Sequence, residues 1–214
     1  MITEERISAF LRSLERPKAK ILEEIRQEAV SSGVPVIRGE TEPLLTFFTD
    51  LLKPMHILEV GCAVGYSSLL MAESLPVGGH ITTLENYPPR IEKAGENFKR
   101  AGKEDVITLI SGDAGETLKE LEGPYEFIFM DAAKGQYLNW LPEVLRLLSP
   151  GGVLVSDNVL QDGDVLESRF AVERRDRTIY DRMREYLREL KNREELSTMV
   201  LPLGDGVAVT LKKE

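Results

Sequence analysis

From residue 56 onward, short apolar runs alternate with helix-length segments, and no other feature limits the possible folds so strongly. The runs are "HILEVG" (56–61), "HITTLE" (80–85), "VITLIS" (106–111), "EFIFMD" (126–131) and "GVLVSD" (152–157). Between them lie segments such as "PPRIEKAGENFKRAG" and "LPEVLRLLSPGG" with helical apolar spacing. Near-continuous apolar strands joined by helical crossovers predict a parallel sheet covered on both faces. A long basic helix is expected at about 172–192. Beyond it, "LSTMVLPLG" and "VAVTLKK" flank the turn "GDG", which predicts a closing antiparallel hairpin. The fold expected is α/β, doubly wound, seven-stranded and mostly parallel, with its ligand site at the carboxyl ends of the strands.

Three helices are expected before this pattern. Ile7, Phe10, Leu11 and Leu14 recur at helical spacing after Thr3, a suitable N-cap. A second helix should start near Pro17, carry Ile21, Leu22, Ile25 and Ala29, and stop at Gly33. The third should begin near Thr41 and end before Pro54. No repeat, low-complexity tract or linker interrupts the chain. One domain is expected over 1–214, with 1–53 as a helical cover and 54–214 as the α/β core. A net charge of −9 disfavours nucleic acid unless a local basic patch meets it. The single cysteine, Cys62, excludes an intramolecular disulfide and a thiolate zinc cluster. The two histidines, His56 and His80, both precede strands, which disfavours Ser–His and Cys–His chemistry. The N-terminal stretch lacks the apolar core of a signal peptide, and no run is long enough to span a membrane, so a cytoplasmic location is expected.

The strand ends carry the chemistry. "LEVGCAVGYSS" (58–68) is strand, glycine turn and helix, with Gly61 and Gly65 spaced G-x-x-x-G behind Glu59. The dinucleotide fingerprint G-x-G-x-x-G is absent. This pattern favours a ligand with a cationic amino-acid part, and S-adenosylmethionine (SAM) fits; a tight turn without a ligand is the alternative. Glu85 ends the next strand, where a carboxylate can accept both hydroxyls of a ribose. Asp113 and the Ala114 amide, after the third strand, could meet an adenine. Asp131 closes the fourth strand, and Asp157 with Asn158 closes the fifth, so three oxygen ligands converge. Such a set suits Mg²⁺, Mn²⁺ or Ca²⁺, although Asp and Asn also simply start turns. Lys134, three residues beyond Asp131, could reach whatever a cation holds.

These motifs together resemble the metal-dependent class I SAM O-methyltransferases of the catechol and caffeoyl-CoA type, over about residue 34 to the end. The resemblance implies Asp131, Asp157 and Asn158 as metal ligands and Lys134 as the catalytic lysine beside Asp131. It also implies a SAM pocket lined by Glu59, Ser67, Glu85, Asp113 and Asp131, with Thr41 reaching in. "DAAKGQY" (131–137) departs from the usual Asp-Ala-Asp-Lys through Ala133. In this it is similar to bacterial tRNA 5-hydroxyuridine methyltransferases, which make 5-methoxyuridine at the anticodon wobble base. Residues 169–193 hold nine Arg or Lys against five Asp or Glu, the patch that tRNA would need, or else a solvated basic helix. Arg169, Arg174, Arg175 and Arg177 are expected beside the pocket. The rival readings are a small catechol-like substrate at the same site, a nicotinamide-dependent oxidoreductase and a non-catalytic SAM-binding module. Family habit implies a homodimer.

Overall fold

The computed structural model describes residues 5–214, so the Thr3 N-cap lies outside the described residues. Seven strands form one sheet: β1 (His56–Val60), β2 (His80–Glu85), β3 (Ile107–Ser111), β4 (Tyr125–Met130), β5 (Leu148–Ser156), β6 (Leu196–Leu201) and β7 (Val207–Lys212). Their order is β3-β2-β1-β4-β5-β7-β6. The first five strands pair in parallel, and β7 lies antiparallel to both β5 and β6. This is the expected doubly wound α/β sheet with a closing hairpin.

Eight helices accompany the sheet among the described residues: α1 (Glu5–Leu14), α2 (Lys20–Ser31), α3 (Thr41–Leu52), α4 (Tyr66–Ala72), α5 (Pro88–Arg100), α6 (Ala114–Glu120), α7 (Tyr137–Leu147) and α8 (Arg177–Asn192). None of them is long and apolar enough to cross a membrane. Alternation along each strand sends side chains to opposite faces. Ile57, Phe127 and Phe129 therefore join Leu22, Ile25, Leu45, Phe48, Leu69 and Phe98 in one layer. Leu58, Val60, Ile128 and Met130 meet Leu118, Leu141, Met183 and Leu190 in the other.

Two local expectations shift. Strand β5 begins at Leu148 rather than 152, because a register irregularity between Tyr125 and Phe127 lets Leu148 pair ahead of Val153. Helix α8 begins at Arg177 rather than 172; residues 174–176 form a turn, and Arg177 bonds back to the Val172 and Phe170 carbonyls. Of the N-terminal helices, α2 and α3 bury Leu22, Ile25, Leu45 and Phe48 in the core. Helix α1 keeps Ile7, Phe10, Leu11 and Leu14 exposed.

Two glycines of the first turn owe their identity to packing. A Cβ on Gly61 would stand 2.6 Å from the Asp131 carbonyl oxygen, and one on Gly65 would stand 2.4 Å from Phe98 Cε1. Both residues have positive φ, +93° and +81°. Gly33 also has positive φ, +69°, but a Cβ there would meet nothing within 4 Å. Gly33→Ala should therefore cost about 1 kcal/mol from backbone strain alone, and Gly65→Ala about 2–4 kcal/mol from strain plus overpacking. Urea unfolding checks this; equal losses in the two variants would refute the packing argument.

Candidate active site

Strand-end hydrogen bonds extend the sheet into the site. The Asp131 amide donates to the Val60 carbonyl at 3.0 Å, and the Asp157 amide to the Met130 carbonyl at 2.9 Å. Register pairs Met130 with Ser156, so the next residues, Asp131 and Asp157, emerge side by side. A cavity of about 1110 Å³ lies over these ends. Its lining includes nine of the expected residues: Gly61, Ser67, Glu85, Asp113, Ala114, Asp131, Lys134, Asp157 and Asn158.

Glu85 is almost fully buried and is held by three backbone amides. Ala63 donates to its Oε2 at 2.9 Å, while Asn86 and Tyr87 donate to its Oε1 at 2.9 and 3.1 Å. This fixes the carboxylate as a rigid acceptor at the cavity wall. Asp113 caps α6 by accepting from the Glu116 amide at 3.2 Å, so its place in the lining is combined with a structural task. Glu59, Gly65 and Thr41 do not line the cavity. Glu59 is fully buried and accepts from Ser68 and, at 2.5 Å, from Thr83. Gly65 packs on Phe98. Thr41 is fully buried at the start of α3, and its Oγ1 has no hydrogen-bond partner among the described residues.

At the other end, Lys134 Nζ lies 2.5 Å from Asp131 Oδ1 and 3.2 Å from the Tyr137 hydroxyl. Burial raises the Asp157 carboxyl to a pKa of about 7, with the Asp131 charge as the next cause. Asn158 has a left-handed backbone, φ +58°, and its Nδ2 donates to Asp205 Oδ2 at 3.0 Å. The available donors are therefore two carboxylates and one amide oxygen. No group of three His, Cys, Asp or Glu among the described residues is arranged to hold a metal, and a cation here would need the Asn158 oxygen as its third protein donor. Oxygen donors of this kind beside a buried, proton-retaining carboxylate fit a hard divalent cation.

Sequence reasoning missed Tyr137, Arg38 and Asp205. The Tyr137 hydroxyl donates to the Met130 carbonyl at 2.9 Å, which ties Lys134 to the end of β4. Its position within "DAAKGQY" was a usable signal. Arg38 and Asp205 come from distant segments, and nothing local marks them. The basic segment behaves differently from expectation. Arg169 pairs with Asp181, Arg175 with Glu173 and Asp176, and Arg193 with Glu189 and Glu195. Arg177, Arg182, Arg184 and Lys191 bond to backbone carbonyls. Only Asp176 and Ile179 of this segment line the cavity, so none of the four expected arginines does.

Burial raises the Glu59 pKa from 4.5 to about 7, against the opposing hydrogen bonds of Ser67, Ser68 and Thr83. For a carboxyl with a raised folded pKa, ionisation costs the native state. The penalty is absent below about pH 4.5, grows as pH rises towards 7 and is constant above. Glu59→Gln should therefore stabilise the ligand-free protein at pH 8, by up to about 3 kcal/mol, and have little effect near pH 4. Denaturant titrations at both pH values measure this, and a gain independent of pH would contradict it.

Comparison with known proteins gives the family. A family model described as O-methyltransferase matches residues 12–213. A catechol O-methyltransferase of Niastella koreensis is 38% identical over 142 residues, 64% of each chain, so this chain spans slightly under two thirds of that relative. Caffeoyl-CoA O-methyltransferase 2 of Petunia hybrida is 34% identical over 173 residues, covering 77% of this chain and 71% of the relative. Among solved structures, an O-methyltransferase from Bacillus cereus in complex with SAH superposes with a TM-score of 0.87, 25% identity and full coverage of both chains. The chain belongs to the family of SAM-dependent O-methyltransferases of the catechol and caffeoyl-CoA type.

Proposed function

We propose that the protein methylates one of two adjacent oxygens on a small catechol-like molecule, using SAM and a divalent cation, Mg²⁺ or Mn²⁺. The observation that carries this reading is the convergence of Asp131, Asp157, Asn158 and Lys134 in a cavity that Glu85 and Asp113 also line. Glu85 would accept the ribose hydroxyls, Asp113 and the Ala114 amide would meet the adenine, and Gly61 and Ser67 would flank the amino-acid end. Glu59, behind Ser67, would supply the negative charge for the ammonium group. Asp131, Asp157 and Asn158 would hold the cation. A cation held there would supply Lewis acidity that stabilises an oxyanion on the acceptor. SAM supplies a methyl group already activated by its sulfonium.

Lys134, once its amine has released its own proton to solvent, takes the proton of the acceptor hydroxyl and then, as an ammonium, steadies the resulting anion. The oxygen then forms a bond to the methyl carbon as the carbon–sulfur bond breaks, and the sulfur keeps the electron pair as a neutral thioether. Asp131 orients Lys134 through their 2.5 Å contact, and Tyr137 supports the amine from the other side. Alignment within the cavity supplies most of the remaining acceleration.

Charge favours a small acceptor over tRNA. The cavity is lined by eight acids against three basic residues, and most bases of the segment 169–193 pair with acids or backbone carbonyls. A polyanion would meet net negative charge at the point of chemistry. The names of the relatives point the same way. Ile7, Phe10 and Leu14 of α1 and Phe47 and Leu51 of α3 remain exposed, which supports a homodimer through these helices.

Labelled SAM with Mg²⁺ should transfer its methyl group to a catechol, and EDTA should abolish transfer until Mg²⁺ or Mn²⁺ is restored. Transfer only to tRNA lacking the 5-methoxy group would reverse the choice of substrate; full turnover in chelator would remove the cation. Separately, Lys134→Met should lower kcat by on the order of 10²–10⁴-fold while SAM binding stays within about threefold. A kcat within threefold of the parent would exclude Lys134 from the proton step.

A further inference from the structure

We propose that Asp205, in the turn between β6 and β7, is a positioning residue that fixes which end of the Asn158 amide faces the cation, with Arg38 holding Asp205 in place. The inference rests on the cation reading above. An asparagine amide has two ends of similar shape and opposite chemistry, and only the oxygen binds a hard cation. An ionised carboxylate accepts and cannot donate, so it selects the NH₂ end. Asp205 Oδ2 accepts from Asn158 Nδ2 at 3.0 Å, which leaves Oδ1 as the end available to a cation.

Asp205 is itself clamped. Arg38 Nε donates to the same Oδ2 at 2.8 Å, and Arg38 Nη2 lies 2.6 Å from Oδ1. A third contact, Nη2 to Asp162 Oδ1 at 3.2 Å, anchors the guanidinium. The turn is docked on the residues after Asn158: the Val159 amide donates to the Gly206 carbonyl and the Leu160 amide to the Asp205 carbonyl, both at 2.9 Å. The glycines of "GDG" permit this approach. A Cβ on Gly206 would stand 2.3 Å from Leu160 Cγ, and one on Gly204 would stand 3.2 Å from Arg38 Cδ. Asp205 keeps only 8% of its surface exposed. Segments far apart in sequence thus meet to hold one amide in one orientation.

Calorimetric titration of Mn²⁺ into the full chain tests this, with SAH binding as the check of fold. The parent should bind Mn²⁺ and Asp157→Ala should not. Asp205→Ala should weaken Mn²⁺ about 10–100-fold with SAH affinity unchanged, as removal of an outer-shell partner does. Asp205→Asn can also donate, but Arg38 Nε donates to the atom that faces Asn158 and so selects the oxygen there, and this variant should stay within about threefold of the parent. Arg38→Gln removes a positive charge, so charge balance alone would tighten Mn²⁺, whereas loss of the clamp weakens it. Unchanged affinity in Asp205→Ala, equal losses in Asp205→Ala and Asp205→Asn, or tighter binding in Arg38→Gln would overturn the proposal. If Asp205→Ala fails to bind SAH, the Asp205→Asn and Arg38→Gln variants decide. A parent that binds no Mn²⁺, or an Asp157→Ala variant that binds it as well, would remove the cation reading and this inference with it.

Discussion

Two carboxylates, Asp131 and Asp157, are forced side by side at the ends of adjacent parallel strands, and the rest of the site answers to that constraint. Like charges in a poorly hydrated setting cannot both ionise without a counter-charge. Lys134 supplies one positive charge through Asp131, and Asp157 retains its proton up to about pH 7 through burial and then the Asp131 charge. A divalent cation would relieve the same repulsion.

The sheet itself creates this crowding. The pairing of β1, β4 and β5 continues one residue beyond the strands through the Asp131 and Asp157 amides. Gly61 completes the arrangement, because its missing side chain lets the first turn lie against the Asp131 carbonyl. What looks in sequence like a glycine kept for a ligand is equally a glycine kept for a neighbouring strand end. Glu59 shows a related compromise: a fully buried carboxylate, costly when ionised, sits beneath the amino-acid end of the proposed SAM pocket.

Much of this was legible in the sequence, because the governing periodicities are local. Five apolar runs announced the parallel strands, and the residues ending them placed Glu85, Asp113, Asp131, Asp157 and Asn158 at one edge. The missed contacts join distant residues. Arg38 and Asp205 are 167 positions apart and Asn158 and Asp205 are 47, so no pattern within a window could reveal them. The basic segment misled for a different physical reason. A count of charges does not register carbonyl acceptors, and Arg177, Arg182, Arg184 and Lys191 are occupied by carbonyls. Helix α1 was legible as an amphipathic helix, but its periodicity could not say that its apolar face stays uncovered.

The central claim is that Asp131, Asp157 and Asn158 form one cation site beside Lys134. The most direct measurement is an anomalous difference map from a crystal of the SAH complex soaked in Mn²⁺. The account predicts one strong peak per chain within coordination distance of the Asp131 and Asp157 carboxylates and the Asn158 amide oxygen. A map with no peak there, or with Mn²⁺ bound only elsewhere, would contradict it.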